Sequence, residues 1–110
     1  LKGPFGLVGL ETAVGITWSE LVEKGLLTPL DWLVRWTVNP ARVLGRPDPT
    51  LAPGSPADVV ILDVNQPWTV DRDQLASKSK NTPFHGRTLR GRAVATLLAG
   101  RLVWEAGARR

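Results

Sequence analysis

The first half of the chain places its apolar residues with the period of an α-helix. One continuous helical stripe consists of Leu10, Ala13, Val14, Thr17, Trp18, Leu21 and Val22. A stripe of this length indicates an amphipathic helix with one buried face. Gly25 follows the stripe, and glycine favours the left-handed conformation in which many helices end. The pattern therefore predicts a helix that begins near residue 10 and ends at Gly25.

A second helix is predicted to begin at Thr28-Pro29. Threonine is a common N-cap, proline suits the first helical position, and Asp31 completes an approximate capping box. One stripe of this helix consists of Leu30, Leu33, Val34, Thr37 and Val38, while Trp32 and Trp36 lie on another. A helix that is apolar on two faces is expected to be sandwiched between layers. Asn39-Pro40 then predicts the cap of a short turn through residues 41–44, which Gly45 ends.

After Gly45 the pattern changes to that of short strands and turns. Pro53 and Gly54 suit the two central positions of a type II turn, and Pro67 suits the start of a strand. Ala99-Gly100 separates two alternating runs, as in a hairpin. The predicted elements are a connector at 46–49, a turn at 51–54, a buried strand at 59–62, a second strand at 67–70, one helical turn at 71–75, a polar loop at 77–86, and a hairpin of residues 91–98 and 101–105.

Composition limits the chemistry that the chain can carry. With 110 residues, 43% of them hydrophobic, the chain has the material for one small domain with a core. No apolar run is long enough to cross a bilayer, and no secretory leader opens the sequence. Cysteine is absent and His85 is the single histidine, so disulfides, thiol catalysis and a multi-histidine metal centre are excluded within this chain. Because the first residue is Leu1, we expect the chain to be part of something longer.

The charge is distributed unevenly. Residues 1–77 carry a net charge of −3 and residues 78–110 a net charge of +7. A basic tail of this kind can attract nucleic acid or an acidic partner. The arginines are spaced among apolar residues, however, and no aromatic side chains interleave with them as a single-strand binding platform requires. A solvated strand face is therefore the favoured interpretation, and nucleic acid is not expected as a partner.

The candidate chemical groups are few. His85 lies in a polar loop and is interpreted as a solvated residue rather than part of a triad. Asp58 and Asp63 flank a strand at an odd spacing, which places them on opposite faces, and Asp71 is best explained as a helix cap. The glycines at 3, 6 and 9 resemble a phosphate-binding loop only weakly, because the lysine and the hydroxyl residue of such a loop are missing.

Several motifs in one order resemble a known family. Residues 3–13 (GPFGLVGLETA) are similar to the segment that follows the last metal-binding aspartate in dihydroorotases. NPARVLG at 39–45 and LAPGSPADVVILD at 51–63 resemble the amidohydrolase superfamily in general. SKSKNTPFHG at 77–86, followed by residues 89–105, resembles the dihydroorotase tail. The chain thus resembles the C-terminal portion of a dihydroorotase, a cyclic amidohydrolase.

The resemblance implies an α/β fold that is only partly present. Residues 1–45 would be the last helices of an amidohydrolase-type (β/α)8 barrel, and residues 46–110 the C-terminal strands of its small β-domain. The intact enzyme would use one or two zinc ions to activate a hydroxide that opens the ring amide of dihydroorotate reversibly, giving N-carbamoyl-L-aspartate in pyrimidine biosynthesis. The zinc ligands would lie upstream, so no catalytic or metal-binding residue is expected in this chain, and the fragment alone is expected to be inactive.

The resemblance also implies one ligand contact. Phe5 and Gly6 match the family's substrate-contacting segment, in which backbone groups meet the pyrimidine ring. Glycine suits such a position, because the absence of a Cβ lets the backbone approach a ligand closely. The alternative is that Pro4-Phe5 only packs on the following helix and the glycines form a turn. Pro4, Gly9 and Glu11 are expected to shape this loop.

Other functions remain open. The chain is also compatible with another cyclic amidohydrolase, of the hydantoinase or allantoinase type, with a non-catalytic dihydroorotase homologue that supports aspartate transcarbamoylase, or with a stand-alone basic binding module. The resemblance implies dihydroorotate or N-carbamoyl-aspartate as the small-molecule partner, with a homodimer and aspartate transcarbamoylase as further candidate partners, and a cytoplasmic location without membrane attachment.

Overall fold

The computed structural model describes residues 6–107, which form three short helices and two small antiparallel sheets. The helices are α1 (Leu10–Thr17), α2 (Pro29–Trp36) and α3 (Val38–Val43). The strands are β1 (Val59–Asp63), β2 (Trp68–Thr69), β3 (Thr88–Leu89), β4 (Arg92–Leu98) and β5 (Arg101–Glu105). A 3₁₀ turn, Arg72–Gln74, follows β2 at the predicted place. The mixture of helices and strands agrees with the predicted α/β class.

The first predicted helix is present, but its hydrogen bonding changes halfway. After Thr17, α1 continues as a π-helical turn, Trp18–Val22, in which the Glu23 N–H donates to the Trp18 carbonyl at 3.1 Å. Gly25 has a φ of +71°, as the predicted helix end requires. The helical segment therefore has the predicted extent.

Helix α2 begins where its capping residues predict. The Thr28 hydroxyl accepts the Asp31 N–H at 3.1 Å and donates to the Asp31 carboxylate at 2.7 Å. Trp32 is buried, and its indole N–H donates to the Thr17 hydroxyl at 2.9 Å. The predicted sandwich is only half present, because Leu30 on the other face is 69% exposed. The described residues supply a layer on the Trp32 side and none on the Leu30 side.

The start of helix α3 was predicted wrongly. Thr37 is the N-cap and Val38 the first helical residue, so Asn39 and Pro40 lie inside the first turn rather than before it. Proline is tolerated there because first-turn N–H groups have no acceptor within the helix. Gly45 ends the segment with a φ of +63°, as predicted.

The larger sheet has the antiparallel order β1-β4-β5, and β2 pairs with β3 separately. Ala99 and Gly100 connect β4 to β5 with φ values of +48° and +77°, the left-handed pair that a two-residue hairpin favours. Strand β1 is present as predicted, but its predicted burial is wrong, because Val60 and Ile61 are half exposed. These neighbours point to opposite faces of the strand, so among residues 6–107 neither face is fully covered at this position. Strand β3 was not predicted, since only its pairing with β2 defines it.

Helix α1 packs directly on the strands. Val70 and Leu89, beside the β2–β3 pair, are almost completely buried. Gly15 of α1 faces this region, and a Cβ at that position would lie 2.9 Å from the Gly91 carbonyl oxygen and 3.0 Å from the Trp68 ring. The missing side chain thus lets the helix backbone contact the strand layer, which places the start of α1 beside the loop at residues 75–82. No helix within the described range is long and apolar enough to cross a membrane.

Candidate functional site

Gly6 presents open backbone at the beginning of the described chain. It is exposed, and its φ is +76°. Among residues 6–107, no heavy atom other than those of its chain neighbours lies within 4 Å of the position that a Cβ would occupy. A positive φ and an open side are what close approach of a ligand to the backbone requires. Phe5, the other residue assigned to the substrate contact, lies outside the described residues. The structure therefore bears on Gly6 alone.

Asn81 joins the Gly6 segment to a loop 75 residues further along the chain. Its side-chain Nδ2 donates to the Gly6 carbonyl at 2.6 Å, and its own backbone carbonyl accepts the Val8 N–H at 2.9 Å. The two motifs that most closely resemble dihydroorotases, at 3–13 and 77–86, are thereby in direct contact. The role of Asn81 was not predicted. The signal available was its position in the KSKNTPF motif, to which no function had been given.

Glu11 fastens the other end of the same loop. Its two carboxylate oxygens accept the backbone N–H groups of Ala76 and Ser77, at 3.0 Å and 3.2 Å. Lys80 closes the loop on itself by donating to the Leu75 carbonyl at 2.6 Å. Glu11 was predicted to shape the loop before α1; its contacts instead attach the first turn of α1 to the loop at residues 75–82.

An open groove runs beside residues 7–12, between α1 and the sheets. Its walls are mainly apolar and include Leu7, Val14, Trp68, Leu75 and Trp104. Binding sites for small polar ligands combine such walls with a few convergent polar groups. The polar side chains that line the groove include Glu11, Gln74 and Arg92. Gly6 and Asn81 lie outside this lining, at the end of the segment that borders the groove.

The other candidate residues have structural partners. His85 is half exposed, and its Nδ1 accepts the Arg72 N–H at 3.2 Å. Asp71 caps the 3₁₀ turn as predicted, because its carboxylate accepts the Asp73 N–H at 3.0 Å. Both residues therefore act in the local architecture of the turn after β2.

Asp58 and Asp63 serve two different turns. Asp58 accepts the Ala99 N–H of the hairpin turn at 2.7 Å. Asp63 accepts the N–H groups of Gln66 and Asn65 at 3.1 Å and 2.9 Å, and these hydrogen bonds hold the pKa of its carboxyl below the ordinary value. The two carboxylates have separate partners, in line with the prediction that they do not cooperate.

Part of the basic charge of the tail is paired with acidic residues of the first half. Arg87 contacts Glu20 at 2.5 Å, and Arg90 contacts Glu23 at 2.9 Å. A hydrogen bond from Lys24 is the larger cause of a lowered pKa at the Glu20 carboxyl. The hydrogen bond from Arg87 lowers this pKa further. These pairs lie on the surface and join the π-helical turn to β3, which supports the interpretation of these arginines as part of a solvated face.

The described residues do not form a metal site. Between residues 6 and 107 no group of three or more histidine, cysteine, aspartate or glutamate side chains is arranged to hold a metal ion. Catalytic zinc requires three such ligands and an open position. Residues 6–107 therefore contain no zinc site of their own.

Comparison with known proteins gives a consistent set of similarities. Residues 3–104 match the model of the amidohydrolase family. The chain is 55% identical over 102 residues to a dihydroorotase of Pelotomaculum thermopropionicum, and 47% identical over 105 residues to a dihydroorotase of Halalkalibacterium halodurans. These matches cover 93% and 94% of this chain and 24% of each relative.

A solved structure shows the same arrangement. The L-hydantoinase (dihydropyrimidinase) from Arthrobacter aurescens superposes with a TM-score of 0.83 at 34% identity, over 94% of this chain and 23% of that one. The chain therefore spans about a quarter of the length of the proteins that it matches, and it corresponds to the C-terminal portion of the dihydroorotases.

Proposed function

Because the chain belongs to the amidohydrolase family, we propose that it is the C-terminal part of a dihydroorotase. The whole protein would hydrolyse the cyclic amide of dihydroorotate reversibly to N-carbamoyl-L-aspartate, a step of pyrimidine biosynthesis. The observation that carries this proposal is the 55% identity to the Pelotomaculum thermopropionicum dihydroorotase over nearly the whole chain. The alternative, a hydantoinase, is supported by the superposition on the L-hydantoinase, where the identity is 34%.

Within this proposal, Phe5 and Gly6 supply the substrate contact. The φ of +76° and the open side of Gly6 support the assignment, because a planar ring can then approach the peptide groups without meeting a side chain. Fixed backbone groups suit the recognition of a ring whose edge carries alternating amide donors and acceptors. Residues 1–45 would belong to the barrel and residues 46–110 to the β-domain.

The proposed zinc would be held entirely by residues outside this chain. We propose one or two ions and a cytoplasmic location, with a homodimer and aspartate transcarbamoylase as the candidate protein partners. This chain's contribution to the reaction is to orient the substrate ring and to complete the fold around it.

Two chimeric enzymes test the proposed function. Residues 3–104 replace the matched segment of the Pelotomaculum thermopropionicum dihydroorotase in one and of the Arthrobacter aurescens L-hydantoinase in the other. We expect the first, named here the dihydroorotase chimera, to hydrolyse dihydroorotate with a kcat/KM within about tenfold of its parent. The second is expected to lose most of its activity toward hydantoins. A folded dihydroorotase chimera without activity, beside an active hydantoinase chimera, would contradict the proposal.

A further inference from the structure

We propose that Asn81 is a positioning residue that orients the backbone at Gly6 for the substrate ring, an inference that rests on the proposed function. Asn81 holds this segment at two points, through the Gly6 carbonyl at 2.6 Å and the Val8 N–H at 2.9 Å. The two contacts lie on either side of Leu7. A three-residue stretch of otherwise irregular chain is thereby fixed by one residue.

The hydrogen bond to Gly6 determines which way the next amide points. The peptide between Gly6 and Leu7 is planar and trans, so its carbonyl and its N–H point in opposite directions. With the carbonyl directed at Asn81, the Leu7 N–H is directed away from the loop at residues 75–82. This N–H donates to no acceptor among residues 6–107. Within residues 6–107, it is thus a donor that the Asn81 side chain orients without satisfying it.

Asn81 is itself held in place. Its N–H donates to the Ser79 hydroxyl at 3.3 Å, and the Thr82 N–H donates to the Lys80 carbonyl at 3.0 Å. At the far end of the loop, the Glu11 carboxylate accepts two successive N–H groups. The loop is therefore fastened at both ends to the segment that it orients, which is the support that a precise binding contact requires.

The Asn81 side chain has a measurable role because it restrains a glycine. Glycine has access to more backbone conformations than any other residue, and among residues 6–107 the Asn81 amide is the group that hydrogen-bonds to the Gly6 carbonyl. Without the hydrogen bond, the substrate would have to order the segment when it binds. Loss of an orienting interaction that acts equally on bound substrate and transition state raises KM and leaves kcat nearly unchanged.

The test compares variants of the dihydroorotase chimera. Asn81→Asp keeps the size of the side chain and replaces the donor to the Gly6 carbonyl by an acceptor. We expect KM for dihydroorotate to rise about tenfold or more, with kcat within about threefold. Asn65→Asp, the same substitution in the exposed turn after β1, is the matched control and should change neither constant. Asn81→Ala, which removes the donor without adding charge, is expected to raise KM in the same direction.

The outcomes separate the two proposals. A merely structural Asn81 would lower the melting temperature and the yield of active enzyme while KM stays at the value of the unsubstituted chimera, and that result would overturn the inference. If the unsubstituted chimera does not hydrolyse dihydroorotate, the proposed function fails first and the inference fails with it. If Asn81→Asp does not fold, an unchanged KM in Asn81→Ala is sufficient to reject the inference.

Discussion

Gly6 combines two properties that usually have separate explanations. Its φ of +76° makes glycine the preferred residue for conformational reasons, and its open side makes a side chain undesirable for steric reasons if a ligand approaches. Gly54 has a similar φ, +89°, and an equally open side, but it lies in the turn before β1, where no substrate contact is proposed. The same substitution at Gly6 and at Gly54 therefore distinguishes the effect of backbone strain from the effect of blocking the ligand.

In the dihydroorotase chimera, Gly6→Val should weaken substrate binding more than folding. Valine at a positive φ costs about 1–3 kcal/mol of strain at either glycine. At Gly6 its methyl groups would also keep the ring from the backbone, which corresponds to a loss of about one to two decades in affinity. We expect steady-state kinetics to show a raised KM for Gly6→Val and an unchanged KM for Gly54→Val, with similar falls in melting temperature. A Gly6 variant that melts earlier but keeps its KM would make the loop structural.

His85→Ala is expected to change the kinetics of the dihydroorotase chimera little. The ring is half exposed, and its Nδ1 accepts the Arg72 N–H and lies 4.0 Å from the Asp71 carboxylate. Loss of such an exposed hydrogen bond costs about 0.5–1.5 kcal/mol of stability. A fall in kcat of tenfold or more without a fall in melting temperature would show that His85 acts in the reaction.

The carboxylate of Asp63 makes the free energy of unfolding depend on pH. Two backbone N–H groups stabilise its charged form, so its pKa in the folded state lies below the ordinary value of 3.8. The lowered pKa of Asp63 contributes to the free energy of unfolding. This contribution is fully present at a pH above the ordinary pKa and is lost as the pH falls through the lowered pKa. In the dihydroorotase chimera, Asp63→Asn should therefore lower the melting temperature at pH 7, by an amount that shrinks below pH 3.8. Asp73→Asn is the control for melts over this pH range, because the Asp73 carboxylate accepts no hydrogen bond from residues 6–107.

At the scale of elements, α1 and the strands are joined by a contact that only glycine permits. A Cβ at Gly15 would lie 2.9 Å from the Gly91 carbonyl oxygen. At this distance the backbone would have to move to make room for it. Alanine would gain up to about 1 kcal/mol of helix propensity there. The displacement would cost about 1–3 kcal/mol, as overpacking of a fitted core does.

The change in melting temperature of Gly15→Ala shows how closely α1 packs on the strands. We expect the displacement to outweigh the propensity, so that calorimetry of the substituted dihydroorotase chimera shows a lower melting temperature. A higher melting temperature would mean that α1 can move away from the strands without loss. The same variant should also raise KM modestly, because α1 carries the Glu11 attachment of the loop at residues 75–82.

Elements whose cause is local could be predicted from the sequence. Thr28 caps α2 through its own neighbour Asp31, and Ala99-Gly100 supply the conformations that their turn needs. The burial of Val60 and Ile61 could not be predicted correctly, because burial depends on a covering layer and not on the β-branched run itself. The link between Gly6 and Asn81 was also missed, since no local pattern marks a hydrogen bond between residues 75 positions apart.

At the scale of the whole molecule, the chain exposes more surface than a compact protein of its size. Its accessible surface is 8497 Å², whereas a compact 12.0 kDa monomer is expected to expose about 6,000 Å². The radius of gyration is 15.6 Å, against about 13 Å for a compact chain of this length. Large apolar side chains that contribute to the surface include Leu26, Leu30, Val43 and Leu44.

The isolated chain should therefore behave as a protein with uncovered apolar surface. We expect it to bind a hydrophobic dye, to self-associate and to unfold over a broad temperature range. It should show no hydrolysis of dihydroorotate, with or without added zinc. A monomer with one sharp transition would contradict the first expectation, and zinc-dependent turnover would contradict the second.

The ion pairs that join the π-helical turn to β3 also determine how the chain would respond to a protease. Residues 46–54, which include the connector at 46–49 and the turn at 51–54, are exposed throughout and are a natural place for a cut. The pieces on either side would remain attached through Glu20 with Arg87, Glu23 with Arg90, and the close contact at Gly15. A nicked sample would thus run as two bands under denaturing conditions and elute as one species under native ones. Raising the salt concentration would weaken the ion pairs and leave the packing at Gly15 to hold the complex together.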